Sequence, residues 1–265
     1  MSSSSPLGVF DSGVGGLSIL KDIRKLLPNE DLIYLADTAH CPYGVKPVAE
    51  IRQRVLEVTN FLITLGAKVI VVACNSASVA GLDQVREVNP RIPIIGVEPA
   101  IKPAHELSGN GKIGVLATQM TINGDRFSVL MEKYGTGIEV YTQPAPGLVE
   151  LVEAGKIETA ETEMMLRKYL QPLLDKEIDT LVLGCTHYPF LSSVIHQIAP
   201  AVTILDTGLA VARQTAKVLE SYKLKTHKTT LGEEIFYTSG EPVVVEKIIA
   251  YLWGNDQVRV SSANF

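Results

Sequence analysis

The sequence is sparing with several residue types and patterns, and each shortage excludes something. Three cysteines in 265 residues, an odd number with no pairwise spacing, make no disulfide framework, so a reducing cytoplasm is the expected compartment. A C-x-x-C redox pair is absent. No apolar run approaches the roughly 18 residues of a membrane span. Basic charge is outnumbered, with a net charge of −5, which argues against nucleic acid as the main partner because phosphate binding wants a basic face. Met1–Pro6 (MSSSSP) has no apolar core, so it reads as a disordered tail and not as a signal peptide. Apolar residues are plentiful, at 46% of the chain with a mean hydropathy of +0.19. That is enough for one large or two modest domains with ample core.

The chain is organised around LVLGCTHYP, Leu181–Pro189. Leu181, Val182 and Leu183 form a short apolar run of parallel-strand length. The run turns at Gly184 and delivers Cys185, Thr186 and His187 where a strand stops. In open α/β sheets the carboxyl end of a strand is where ligands sit. The same arrangement occurs earlier: Lys68–Ser78 (KVIVVACNSAS) is an apolar strand followed by Cys74, Asn75 and Ser76. Each cysteine strand has an upstream strand ending in short polar residues. LGVFDSG places Asp11 and Ser12 after one, and KIGVLATQMT places Thr118 and Thr121 after the other. The separations are similar, 63 residues from Asp11 to Cys74 and 67 from Thr118 to Cys185. A repeat on this scale suggests two related α/β halves.

Strands are expected at Leu7–Phe10, Leu32–Ala36, Ile94–Val97, Lys112–Ala117, Ile138–Tyr141, Val202–Leu205 and Glu234–Thr238, besides the two cysteine strands. Between them, helical periodicity is expected at Leu17–Leu27, Val48–Leu65, from Cys74 to about Val88, and at Ala100–Leu107, Thr121–Tyr134, Leu148–Ala154, Glu158–Leu174, Leu191–Ile198, Thr207–Tyr222 and Pro242–Leu252. This alternation predicts mainly parallel sheets flanked by helices. The expected division is a first α/β domain of residues 1–97 plus 208–265 and a second of 98–207. DSGVGG (Asp11–Gly16) opens the first helix. A dinucleotide fingerprint would need a glycine at position 18, which is Ser18. The loop reads instead as backbone N–H groups free to approach an anion, a carboxylate as well as a phosphate.

Cys74 and Cys185 both end apolar strands, and both are expected at helix N-termini, a position that lowers a thiol pKa. Cys41 has no such strand and reads as incidental. Four uses of two cysteines compete. A structural disulfide does not suit the cytoplasm. A redox pair would use closer spacing. A zinc site would want clustered ligands, and the five histidines are scattered. The fourth use is a pair of acid/base groups on opposite faces of one carbon, which suits an enzyme that handles both mirror images of a substrate.

At these residues the chain resembles the glutamate racemases of the cofactor-independent aspartate/glutamate racemase superfamily. The matching segments are DSGVGG (Asp11–Gly16), the Asp37 loop with PYG (Pro42–Gly44), ACNSA (Ala73–Ala77), LVEAG (Leu151–Gly155) and GCTHYP (Gly184–Pro189), in the family's order and across nearly the whole chain. The resemblance implies two pseudo-symmetric α/β domains with the active site in the cleft between them. It implies interconversion of L- and D-glutamate without pyridoxal phosphate or metal, supply of D-glutamate for peptidoglycan, and a homodimer. Cys74 would take the α-proton from D-glutamate and Cys185 from L-glutamate. Asp11 and His187 would assist the thiols, and Glu153 would pair with the histidine. Ser12, Pro42, Tyr43, Gly44, Asn75, Ser76, Thr118, Thr121 and Thr186, with Asp11 and His187, would hold the substrate. Ser76 stands where threonine is usual, keeping the hydroxyl and losing a methyl. Asp37 and Asp206, which also end strands, are expected to support and not to react.

Two other readings stay open at the level of sequence. A racemase for a related substrate such as aspartate would use the same thiols. A two-domain amino-acid-binding protein would close in the same way, needs no cysteine pair, and normally carries a signal peptide.

Overall fold

The short apolar runs become strands, and every strand pair among the described residues, 2–265, is parallel. In the computed structural model the chain runs β1 (Leu7–Asp11), α1 (Leu17–Leu26), β2 (Leu32–Ala36), α2 (Val48–Thr64), β3 (Val69–Val72), α3 (Asn75–Val88), β4 (Ile94–Ile95), α4 (Ile101–Leu107), β5 (Lys112–Ala117), α5 (Gln119–Asn123), α6 (Asp125–Tyr134), β6 (Glu139–Pro144), α7 (Leu148–Glu153), α8 (Ala160–Leu174), β7 (Thr180–Gly184), α9 (Ser192–Ile198), β8 (Thr203–Leu205), α10 (Gly208–Ser221), β9 (Glu234–Thr238), α11 (Pro242–Trp253) and β10 (Val260–Ser262).

Two sheets result, ordered β10-β9-β2-β1-β3-β4 and β6-β5-β7-β8. Set against each other, β2-β1-β3-β4 and β6-β5-β7-β8 have the same winding. In each, the strand order reverses between the central pair, β1 and β3 in one sheet and β5 and β7 in the other. A reversal of order opens a crevice at the carboxyl ends of the two strands, because the connections leave in opposite directions. Asp11 and Cys74 come off one such point; Thr118 and Cys185 come off the other.

The strands alternate as a pleat buried on both faces must. In β3, Val69 and Val71 join one apolar cluster, while Ile70 and Val72 join another beneath α2 and α3. In β7, Leu181 and Leu183 join the first of those clusters, and Val182 joins a third. The first cluster is therefore shared by both sheets. Each fully buried aliphatic side chain contributes about 1.5–3 kcal/mol, and this shared core packs the two cysteine strands into one apolar layer.

Several expectations need correction. Thr121–Tyr134 is two helices, because Thr118 caps a turn that starts at Gln119 and Gly124 is extended at φ −78°, ψ 145°. The strand at Ile94 ends at Ile95. The helix expected from Leu191 is preceded by a 3₁₀ turn at Tyr188–Leu191. The terminal strand β10 carries too few residues to show a period. The serine-rich start is ordered: Ser5 N–H donates to Ser2 O at 3.1 Å. The wholly buried Lys68 ammonium donates to Ser3 O at 2.6 Å and pairs with Glu30 at 2.5 Å. A buried ammonium has to find acceptors, and this stretch of backbone supplies one. No helix among the described residues is long and apolar enough to cross a membrane.

Candidate active site

β1 ends at Asp11, whose side chain is completely buried. Its carboxylate accepts from Gly16 N–H at 2.8 Å, Ser12 Oγ–H at 3.3 Å and Thr186 Oγ1–H at 3.3 Å, and lies 3.9 Å from His187 Nδ1. One carboxylate thus ties the end of β1 to the segment that follows β7. Burial raises its pKa, opposed by the charge of His187 and a hydrogen bond with Cys74.

Cys74 sits at the N-cap of α3, where Ala77 N–H donates to Sγ at 3.5 Å. Its thiol donates to Ser12 Oγ at 3.7 Å. The lowered pKa expected from the helix terminus does not prevail. Burial, and then the negative charge of Asp11, push this thiol well above its ordinary value against the help of the helix N–H. Cys185 differs in setting, since β7 leads into the short 3₁₀ turn and not directly into an α-helix. Its Sγ lies 3.8 Å from His187 Nδ1, and the other ring nitrogen, Nε2, is 2.6 Å from Glu153 Oε1. Burial alone would depress the His187 pKa. Contacts with Cys185, Cys41, Glu153 and Asp11 outweigh it and raise the pKa well above the ordinary value.

DSGVGG does bring backbone N–H groups to carboxylates, though not to those of a ligand. The loop's N–H groups are taken by the protein's own carboxylates: Val14 N–H donates to Glu153 at 2.7 Å, and Gly16 N–H to Asp11. The backbone passes so close to the imidazole that a Cβ on Gly15 would lie 2.2 Å from His187 Nδ1, and one on Gly13 would lie 1.9 Å from Glu153 Oε1. Gly15→Ala is therefore expected to displace His187 while leaving the fold intact. A shift of about 1 Å near a reacting group costs on the order of 100-fold in rate. Steady-state kinetics beside a thermal melt would check this: lost turnover with an unchanged melt is expected, and unchanged turnover would contradict it.

Both thiols line a single cavity with Ser12, Pro42, Tyr43, Gly44, Asn75, Ser76, Thr118, Thr186 and His187. Its volume is about 20 Å³, room for about one water, so this is a closed state of the cleft. A second cavity of about 120 Å³ shares Pro42, Gly44, Thr118 and Val149 with it. A larger cavity, about 590 Å³ between Arg52 and Arg126, touches none of these groups. Asp11 and Glu153 stand behind the cavity wall. Thr121 reaches it through Thr118, whose Oγ1 is 2.9 Å from Thr121 Oγ1 and 3.1 Å from Ser76 Oγ. Asn75 Nδ2 is buried with no hydrogen-bond partner among the described residues, a vacancy that costs about 1–3 kcal/mol unless a ligand oxygen fills it.

Tyr43 lines the cavity, but its hydroxyl donates to Asp37, which Arg54 holds at 2.8 and 3.0 Å. The Tyr43 hydroxyl is thus turned to Asp37 while the residue still lines the cavity. Asp206 accepts from Gly208 N–H at 2.9 Å at the start of α10 and takes no part in this network. One residue escaped the sequence reading, and another was read as incidental. Val149 lines the cavity from α7. Cys41 lies beside His187 and Glu153, and burial pushes its thiol up to about 12.

Comparison with known proteins shows the family. The chain is 45% identical over 255 residues to a glutamate racemase of Pseudomonas paraeruginosa, covering 96% of each chain. The structure of a glutamate racemase isoform from Bacillus anthracis superposes with a TM-score of 0.90 at 33% identity, covering 99% of this chain and 98% of that one. The glutamate racemase of Francisella tularensis, solved in complex with D-glutamate, superposes at 0.86 with 33% identity and the same coverage. The family model for Asp/Glu/hydantoin racemases matches residues 8–215, and the chain belongs to that family.

Proposed function

We propose that this chain is a glutamate racemase, interconverting L- and D-glutamate by passing the α-proton between two thiols. The observation that carries this reading is that Cys74 and Cys185, each from the reversal point of its own sheet, line one cavity. A carbon held between them can lose a proton to one thiolate and gain one from the opposite thiol. Starting from L-glutamate, Cys185 takes the proton and Cys74 gives one to the other face. Starting from D-glutamate the roles exchange, as microscopic reversibility requires.

Removing an α-proton builds negative charge on the adjacent carboxylate. Preorganised donors stabilise such charge where water is excluded. The unpartnered Asn75 Nδ2 and the hydroxyls of Ser12, Ser76, Thr118 and Thr186 are suited to this, with the Pro42–Gly44 backbone and Thr121 behind Thr118. The substrate's ammonium group adds a positive charge near Cys74, whose pKa burial raises, and so favours its thiolate. His187, oriented by Glu153, assists Cys185; Asp11 assists Cys74. No pyridoxal phosphate or metal enters this mechanism. In this reading residues 1–97 with 208–265 and residues 98–207 act as two domains that open to admit substrate. The enzyme works as a homodimer in the cytoplasm, where D-glutamate feeds peptidoglycan synthesis, as the family resemblance implies.

The purified protein, given L-glutamate and a chelator without pyridoxal phosphate, is expected to lose optical rotation to the racemic end point. Aspartate under the same conditions is expected to turn over far more slowly. Faster turnover of aspartate would overturn the substrate assignment, and turnover of neither would overturn the reading.

A further inference from the structure

Cys41 has no part in the proton transfer above, yet folding brings its thiol to the back of His187. Among the described residues Cys41, Glu153 and His187 each offer a ligand atom, and these atoms all lie within 4.8 Å of one another. In sequence the three are scattered, which is why a zinc site was not expected. Thiolate, imidazole and carboxylate together are a donor set for zinc(II) and its borderline-soft neighbours. Bond lengths of about 2.0–2.3 Å around a tetrahedral ion put ligand atoms roughly 3.3–3.6 Å apart. The Glu153–His187 hydrogen bond, 2.6 Å, would have to open by about 1 Å, with Cys41 already within 4.8 Å of both.

The site also has its own approach. A separate cavity of about 340 Å³ reaches Glu153 past Val14, Thr38 and Ala39, and Glu241 adds a second carboxylate to its wall. It shares no lining residue with the cavity that holds Cys74 and Cys185. An ion can arrive from this side without crossing the substrate cleft.

We propose that Cys41, Glu153 and His187 form an inhibitory site for a divalent thiophilic cation of the zinc(II) type, entered from a cavity separate from the substrate's. On binding, the cation displaces the Cys41 thiol proton to solvent, replaces the Glu153–His187 hydrogen bond, and withdraws the imidazole from Cys185. Glutamate still binds, because the cation does not occupy its cavity. Inhibition therefore lowers kcat with little change in KM. The inhibitory effect rests on the racemase reading, whereas the binding does not.

The test separates the two. In a Cys74→Ala/Cys185→Ala double variant, Cys41 is the one remaining cysteine of the three. Adding Co²⁺ alone is expected to produce a thiolate-to-metal charge-transfer band that equimolar Zn²⁺ abolishes, and a further Cys41→Ser change is expected to remove it. No band in the folded double variant overturns the site, whatever the protein catalyses. In the otherwise native enzyme, Zn²⁺ is expected to inhibit reversibly, and Cys41→Ser to raise the half-inhibiting concentration by about 10–100-fold, the least a lost ligand should cost. Glu153→Gln, with Cys41 intact, is expected to weaken Co²⁺ binding in the same direction. Zinc inhibition unchanged in Cys41→Ser, or competitive with glutamate, would place the ion on the catalytic thiols and overturn the proposal.

Discussion

Cys74→Ala and Cys185→Ala are each expected to lower racemisation by about 10²–10⁴-fold, the usual loss on removing a general acid–base group. Both variants should fall equally in both directions. L- and D-glutamate have equal free energies in water, so the ratio of kcat/KM for the two directions must stay at one, whichever residue is removed. The asymmetry between the thiols therefore cannot appear in kcat/KM and has to be sought in exchange. In D2O, Cys185→Ala retains the thiol assigned to D-glutamate, and should wash α-hydrogen out of D-glutamate faster than out of L-glutamate. Cys74→Ala should show the reverse preference. Equal exchange of both enantiomers by each variant would refute the assignment of faces, and undiminished racemisation by either would refute the two-thiol mechanism.

The second large effect is expected at Asp11. Asp11→Asn preserves shape in a site with no exposure. It replaces one acceptor oxygen with a donor that must face Gly16 N–H, Ser12 Oγ–H or Thr186 Oγ1–H. It also removes a negative charge that raises the Cys74 pKa. A fall in kcat of about 10²–10⁴-fold is expected, with a smaller change in KM. The pH profile gives the sign. Without the Asp11 charge the Cys74 thiolate becomes easier to form, so the Cys74 limb should move to lower pH. A merely structural role would lower the amplitude and leave the limb in place. A shift to higher pH would contradict the electrostatic assignment outright.

How much of this was legible in the sequence follows from where the information lies. GCTHYP and ACNSA could be placed because a strand end is a local feature: an apolar run, a stop, then polar side chains. The reversal in strand order was not visible, since it depends on which strands become neighbours. Yet it is this reversal that aims Cys74 and Cys185 at one cavity. The glycines of DSGVGG were read as freeing N–H groups for a carboxylate, which Val14 and Gly16 do find in Glu153 and Asp11, but the clearance they give was missed. Their purpose, clearance for His187 and Glu153, belongs to residues about 140–170 positions away. Cys41 was passed over because the Asp37–Gly44 loop carries no periodic pattern, and its proximity to His187 exists only once the β1–α1 loop is folded. The direction of the Cys74 pKa was mistaken for a related reason. A helix N-terminus can be read locally, but the burial that overrides it cannot. Asp37 was expected to play a supporting part, and its grip on Arg54 and Tyr43 fits that part at the edge of the cavity.

The most direct measurement follows the fate of the α-hydrogen at low conversion. L-glutamate with ordinary hydrogen at the α-carbon is turned over in D2O, and D-glutamate is isolated while only a small fraction of the pool has reacted. Two thiols on opposite faces require that the donor be one already equilibrated with solvent. The D-glutamate should therefore carry deuterium at the α-carbon almost completely, while the remaining L-glutamate keeps its original hydrogen. D-glutamate that retains the original hydrogen would mean that one group carries the proton from face to face, and the pairing of Cys74 with Cys185 across the substrate would be wrong.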